Sequence, residues 1–463
     1  MPVLDTAPLK RSGRLLVIAA LLTLLGFASA VPSAMGQAYS DLYNFGAASG
    51  DPEFPAGFLA QGTDGNLYGT ANSGAANDDG GVFRITPGGS LTLLSSFTPT
   101  MGLGTGLTAS SDGNFYGTTV GAGLSCSPGV SCGTLFSVTP SGVFTDIHDF
   151  MGGADGEGPQ VPPLEGLDHR LYGTTDLGGR FGSGTGYIAT PAGEVSILGS
   201  KGDAAKKILV FNPAQNVFYG VSANTVFKAT PFGKLTVLYN FGNGNGPWSL
   251  VQGSDDSLYG TTFSGGDRNC NGGNGCGMIY RITRTGRFQV VHNFEPGQGR
   301  APTTLLQASD GSLYGTTLTD LTNNAGTIFK VAPDGTFSVL YNFTSATGQN
   351  PQSLFQHTNG LFYGLTEDGG TRNRGVFFSF DLGLPAFVRL QSSWGSSGET
   401  IGILGQGFLT ATAVSFNGVP ATFNVVSDTN LTAEVPDGAS TGSVTVTTST
   451  GTLTSNTRFY VVQ

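Results

Sequence analysis

The chain reads as an all-β protein: a seven-bladed β-propeller followed by a small immunoglobulin-like β-sandwich. Three observations predict this. A phrase of the form Asp-Gly-x-Leu-Tyr-Gly-Thr recurs seven times, with its tyrosine at Tyr68, Tyr116, Tyr172, Tyr219, Tyr259, Tyr314 and Tyr363, at intervals of 48, 56, 47, 40, 55 and 49 residues. A period of that size in a sequence rich in short strands and turns marks one copy per propeller blade. The grammar then changes at Pro385, where the phrase disappears and Val/Thr alternation takes over. Finally, 74 glycines without a collagen period, and few charged residues, suit many turns rather than disorder.

The phrase is a hairpin in miniature. Asp310-Gly311 suits a type I′ turn, whose two central residues both take positive φ, and Leu313 to Thr317 has the aromatic and β-branched character of a strand. Each repeat divides into four strands, A to D. Strand A is an apolar stretch such as Ser249 to Gln252; strand B is the Leu-Tyr-Gly-Thr phrase. After a Gly-rich loop comes strand C, as in Val82 to Ile85 or Ile328 to Val331, alternating aromatic and polar. A Pro- or Gly-containing turn leads to strand D, which ends Leu238-Tyr239-Asn240-Phe241 or Leu340-Tyr341-Asn342-Phe343.

The ends of the array complement each other. Asp41 to Phe45 is a strand D with no A, B or C before it, and the last repeat stops after strand C near Asp381. Pairing the two closes the ring and removes two exposed sheet edges. The propeller is therefore expected over residues 40–384 and the sandwich over 385–463. Residues 1–30 are expected to be a signal peptide: Lys10, Arg11 and Arg14 precede the apolar run Leu15 to Phe27 and the small-x-small site Ala28-Ser29-Ala30. Cleavage after Ala38 is the alternative to cleavage after Ala30. The apolar run is short for a spanning helix, and no second stretch could span a membrane in the mature chain. The expected destination is extracellular or in the cell envelope.

Four cysteines form two C-x5-C pairs at equivalent places in their repeats, Cys126 with Cys132 and Cys270 with Cys276. Export favours disulfides, each closing a short loop with about 2 kcal/mol of stabilisation. Zinc is the alternative, but no histidine lies near either pair and two thiolates are too few. The net charge of −10 leaves no electrostatic footprint for nucleic acid and no attraction to anionic lipid.

The phrases Asp64 to Thr70, Gly81 to Pro87 and Leu-Tyr-Asn-Phe, recurring in fixed order, resemble the bacterial GloVer (Gloeo/Verruco) tandem repeat over about residues 40 to 380. They are more distantly similar to the propeller repeats of bacterial two-component sensor ectodomains. The tail resembles IPT/TIG immunoglobulin-like domains through Gly405-Gln406-Gly407-Phe408, Phe416-Asn417-Gly418, Val435-Pro436 and Gly442 to Val446. The first resemblance implies an exported protein of unknown activity, the second a non-catalytic interaction or spacer module. Neither supplies catalytic residues.

The residues themselves give little chemistry. Three positions before each turn aspartate lie Gln61, Ala109, Glu165, Asn212, Gln252, Gln307 and Gln356, a near-complete amide ring on the expected innermost strand. Amides donate and accept without titrating, so the ring could meet a ligand or water in the channel, or satisfy backbone groups near the turn. The four histidines do not converge, and turn chemistry explains the repeated aspartates more simply than calcium does. No nucleophile elbow stands out. No catalytic, cofactor or metal residue is therefore expected. Two functions remain: a non-enzymatic exported propeller binding an extracellular glycan or protein, or an extracellular hydrolase or lyase on a propeller scaffold. The B–C loops and D–A links share one face and vary most, so binding is expected there, with Trp248, Arg268, Arg300, Arg372 and Arg374 as candidate ligand contacts.

Overall fold

A computed structural model of the chain describes residues 38–121, 132–179, 182–199, 207–242, 246–320 and 325–462. The expected signal peptide, and Cys126 with it, lie outside the described residues.

Six sheets carry seven four-stranded antiparallel meanders, two of which are joined into one eight-stranded sheet by a single parallel pair, Phe58 with Gly106. Each meander holds one tyrosine of the repeated phrase and is numbered here as a blade, in the order of those tyrosines. Blade 6 is representative: Arg300–Gln307, Leu313–Thr319, Thr327–Val331 and Phe337–Asn342 pair in sequence order. The seventh blade takes its outer strand from the other end of the chain. Ala38–Asn44 pairs with Val376–Asp381, Tyr43 opposite Phe377. The first strands of neighbouring blades touch one another, Pro52–Gln61 against both Leu103–Ala109 and Gln349–Gln356, which makes strand A innermost. Phe58, on such a strand, is 45% exposed.

The core lies between blades. Phe83 and Ile85 of blade 1 pack with Phe45, Tyr363, Leu365 and Phe377 of blade 7, and Tyr68 and Phe97 with Phe115 and Phe136 of blade 2. Aromatic rings thus fill each wedge, their large apolar area buried where two twisted sheets face.

The turn after strand A differs from expectation. In blade 1 the Gly65 N–H donates to Gly62 O (3.1 Å) and the Gly62 N–H to Asn66 O (2.9 Å), and within that turn Gly65 alone has positive φ (74°). This is a type I turn followed by a left-handed residue, not a type I′ turn. Its cause is the aspartate. Asp64 Oδ1 accepts the Asn66 N–H (3.1 Å), and Oδ2 accepts the Tyr68 hydroxyl (2.8 Å), which favours a right-handed aspartate.

The C-terminal segment folds as two four-stranded sheets. Thr400–Leu404 and Asn430–Glu434 are central in one, Ala413–Phe416 and Val444–Thr448 in the other. Ile401, Ile403, Phe408, Phe416, Leu431, Val446 and Phe459 fill the space between them. Alternating inward residues from both sheets make an immunoglobulin-like core. Among the described residues no helix is long and apolar enough to cross a membrane.

Candidate functional site

Nearly every residue of the repeated phrase is used by the scaffold. The aspartate–tyrosine bond of blade 1 recurs at Asp112–Tyr116 (2.7 Å), Asp168–Tyr172 (2.9 Å), Asp255–Tyr259 (3.1 Å) and Asp310–Tyr314 (2.9 Å), and Gln215 and Asn359 take the place of aspartate in blades 4 and 7. Burial raises the phenol of Tyr314 above its ordinary value, and the nearby Asp310 carboxylate raises it further, so it stays a donor. The glycine after each tyrosine makes room for an aromatic of strand C: a Cβ on Gly315 would lie 2.5 Å from Phe329 Cζ, and one on Gly69 2.8 Å from Phe83 Cζ. The next threonine binds the adjacent blade, as Thr261 Oγ1 does by donating to Pro302 O (3.0 Å). The threonine after that closes the B–C loop: Thr317 Oγ1 accepts the Thr327 N–H (3.0 Å).

The amide ring staples one blade to the next. Gln356 Oε1 accepts the Ser309 N–H (2.9 Å), Gln307 Oε1 the Ser254 N–H (2.7 Å), and Gln252 Oε1 the Asn212 amide (3.0 Å). Gln61 donates to Thr358 Oγ1 (2.8 Å), and Glu165 accepts the Ser111 N–H (2.8 Å). These groups satisfy backbone and hydroxyls of the preceding blade's turn or strand, which a single-repeat reading could not show. Ser111, His169 and Glu165 come together here, but His169 Nδ1 faces both Glu165 (2.7 Å) and Ser111 Oγ (3.2 Å). A relay needs one ring nitrogen for each, so this is not nucleophile-activating geometry.

The sandwich packs on this same A–B face. Thr429 Oγ1 donates to Thr63 O (2.8 Å), Gln406 Nε2 to Thr358 Oγ1 (3.0 Å), and the Phe387 N–H to Thr358 O (3.0 Å). Trp394 meets Phe211 edge-on at 5.1 Å. Glu399 lies 3.7 Å from His169 Nε2, and Arg458 lies 3.6 Å from Asp256.

The opposite face holds the expected ligand contacts, with Trp248 and Arg300 at the start of the first strands of blades 5 and 6 rather than in the links before them. Trp248 and Phe263, 41% and 43% exposed, sit with centroids 5.6 Å apart. With Lys207, whose Nζ lies 3.7 Å above the indole, they line a cleft of about 400 Å³ between blades 4 and 5. The arginines do not converge on it. Arg300 is tied into the scaffold, its Nε donating to Thr319 Oγ1 (2.7 Å) and its Nη1 to Asn271 Oδ1 (2.9 Å). Arg374 is ion-paired with Glu53. Arg268 and Arg372 are exposed on separate blades. Asn271 belongs to a loop closed by the Cys270–Cys276 disulfide. Cys132 is fully buried, but its expected partner Cys126 falls outside the described residues. Among the described residues no three His, Cys, Asp or Glu side chains group as metal ligands.

The Gloeobacter/Verrucomicrobia repeat model matches residues 103–270 and 221–422, together over two thirds of the chain. The chain belongs to the Gloeobacter/Verrucomicrobia repeat family. Residues 385–461 match the IPT/TIG domain model. No curated protein matches the chain. Among solved structures it is similar to a streptogramin B lyase, with a TM-score of 0.54 at 16% identity over 75% of this chain and 98% of that one. It is also similar to virginiamycin B lyase from Staphylococcus aureus, with a TM-score of 0.53 at 17% identity over 74% of this chain and 98% of that one. At such identities the likeness shows the fold alone.

Within the Gloeobacter/Verrucomicrobia repeat of this chain, two informative residues escaped sequence reasoning. The left-handed turn position is glycine in blades 1, 2, 6 and 7 and Asn216 (φ 46°) in blade 4, but His169 (φ 57°) in blade 3 and Asp256 (φ 64°) in blade 5. A non-glycine residue there carries strain. Both face the TIG domain, His169 towards Glu399, and Asp256 towards Arg458 and the Tyr460 hydroxyl (3.5 Å). The signal was present: each breaks the Asp-Gly phrase. Lys207 was also missed, because the cleft joins residues from two blades forty positions apart.

Proposed function

We propose that the chain is an exported, non-enzymatic binding protein whose ligand is an extracellular glycan, held in the cleft of Trp248 and Phe263. The observation that carries this is the pair of half-exposed aromatic rings in a cleft of monosaccharide-to-disaccharide size. Indole and phenyl faces suit the apolar face of a pyranose, and Lys207 backs the indole and holds it in place. The repeat residues are consumed by the scaffold, and the TIG domain contacts the A–B face, so the variable loops of the other face are the surface left for recognition. The disulfide at Cys270–Cys276 supports an oxidising destination. Glycan-array binding of the purified protein tests the reading. Trp248→Ala and Phe263→Ala are expected to abolish the signal and Arg372→Glu to leave it. Binding that survives both aromatic substitutions, or capture of protein ligands only, would overturn it.

A further inference from the structure

The cleft of Trp248 and Phe263 owes its opening to one short loop. Strands Val217–Val221 and Thr225–Ala229 of blade 4 are joined by three residues, whereas Leu258–Thr262 and Met278–Ile282 of blade 5 are joined by fifteen. Thr303 of blade 6 holds the register position of Trp248: each follows a proline that pairs with the second threonine of the repeated phrase. The fifteen-residue loop lies over the start of blade 6, where Asn271 takes the Arg300 guanidinium and Cys276 O accepts the Ala301 N–H (2.9 Å), and Thr303 is only 9% exposed. A three-residue loop spans too little to cover blade 5 in the same way, and Trp248 is 41% exposed.

Two apolar surfaces are thereby left open, and they are not parallel: the indole and the Phe263 ring are inclined at 46°. A pyranose stacks its flat apolar face on one ring at a time, so a bare hexose on the indole leaves Phe263 in water. A ligand that covers both rings needs a second apolar group set off from its own ring. An acetamido group is one, because its methyl stands beyond a planar amide. The methyl of a 6-deoxy sugar is bonded to the ring itself and lengthens the first face rather than supplying a second. The rest of the lining agrees. Val221, Ala223 and Pro247 extend the apolar wall, and Ser222, Asn224 and Ser264 bring the polar atoms. Among the described residues that line the cleft there is no carboxylate, the side chain that best accepts a fan of hydroxyl protons. We propose that the cleft selects an N-acetylhexosamine, with the pyranose on the indole of Trp248 and the acetamido methyl on Phe263. The proposal rests on the reading of the cleft as a glycan site and adds the class of sugar.

The test is calorimetric titration of the full chain with triacetylchitotriose and cellotriose, which differ only in the group at C2. N-acetylgalactosamine against galactose is a second pair, and fucose a separate probe. Burying one methyl and making one amide hydrogen bond are together worth about tenfold in affinity. The parent is expected to bind an acetamido sugar tighter than its hydroxyl counterpart by that factor. Phe263→Ala is expected to remove the preference and leave the weak affinity for the counterpart, Phe263→Tyr to keep the preference, and Trp248→Ala to weaken both members. Both side chains are half-exposed, so an unchanged melting temperature is expected of each variant and marks a loss of affinity as a lost contact. Equal affinity within both pairs, a preference that survives Phe263→Ala, or binding of fucose alone would overturn the acetamido assignment. The cleft would remain a glycan site if Trp248→Ala still weakened what binds. Capture of other glycans on the array, with none of these sugars bound, overturns the assignment as well. Capture of no glycan at all overturns the reading of the cleft itself.

Discussion

Gly315→Ala separates space from backbone conformation in the repeated phrase. Gly315 has ordinary negative φ, so alanine brings no backbone strain; the obstacle is steric. The new methyl would lie 2.5 Å from Phe329 Cζ and closer still to Thr304 O. Phe329 is fully buried against Phe294 and Phe337, and Thr304 is held in register opposite Thr316, so neither can yield cheaply. Overpacking of this kind costs about 1–3 kcal/mol, and two simultaneous clashes place this site at the upper end, a fall of several °C in melting temperature. Four residues earlier, Gly311 takes φ 79° with nothing nearer than Pro333 at 3.9 Å, and other blades hold His, Asn or Asp at the equivalent position. Gly311→Asn should therefore cost under about 1 kcal/mol, since asparagine tolerates the left-handed region. Paired melting curves by circular dichroism compare the two. Gly315→Ala proving no more destabilising than Gly311→Asn would refute the assignment of roles. Adding Phe329→Leu to Gly315→Ala removes one of the two clashes, so the double variant should lose less than the sum of the two single losses.

Removing residues 38–45 strips the outer strand from blade 7 and the buried Phe45 from its wedge; a lower melting temperature and edge-driven association are expected, and unchanged melting would contradict the closure. Cys276→Ser should cost about 2 kcal/mol by the chain-entropy estimate, read by denaturant unfolding, with no loss counting against a stabilising crosslink. His357 is held neutral by burial, below its ordinary value of 6.5. The unfolded chain takes up that proton first, so stability is full above about pH 6.5 and falls as pH drops further. His357→Gln should flatten the acid limb of melting temperature against pH, and an unchanged limb would remove His357 as its source.

The fold was legible because its signals are local and repeated. The orphan strand at Asp41 to Phe45 and the missing strand after Asp381 pointed to each other through strand grammar alone. What escaped notice depends on neighbours the sequence does not juxtapose. The turn type followed from Asp64 bonding to Tyr68, a side-chain effect that backbone propensity does not encode. Gln307 and Gln356 were visible as a period, but their partners Ser254 and Ser309 belong to the preceding blade. Trp248 could be singled out by its place where one blade passes to the next, at the start of strand Pro247–Gln252, whereas Lys207 joins it only across a blade boundary. Arg300 and Arg374 looked available in the sequence and are spent on Asn271 and Glu53. His169 and Asp256 look like imperfect copies until the TIG domain is seen to rest on them.

Calorimetric titration of an array-identified oligosaccharide into the parent and into Trp248→Ala tests the binding account most directly. The account predicts at least a tenfold loss of affinity, on the order of the 1.4 kcal/mol or more that one stacked aromatic contributes, at an unchanged melting temperature. Equal affinity in the two proteins, with loss instead on altering a turn of the A–B face such as Ser309-Asp310, would contradict it.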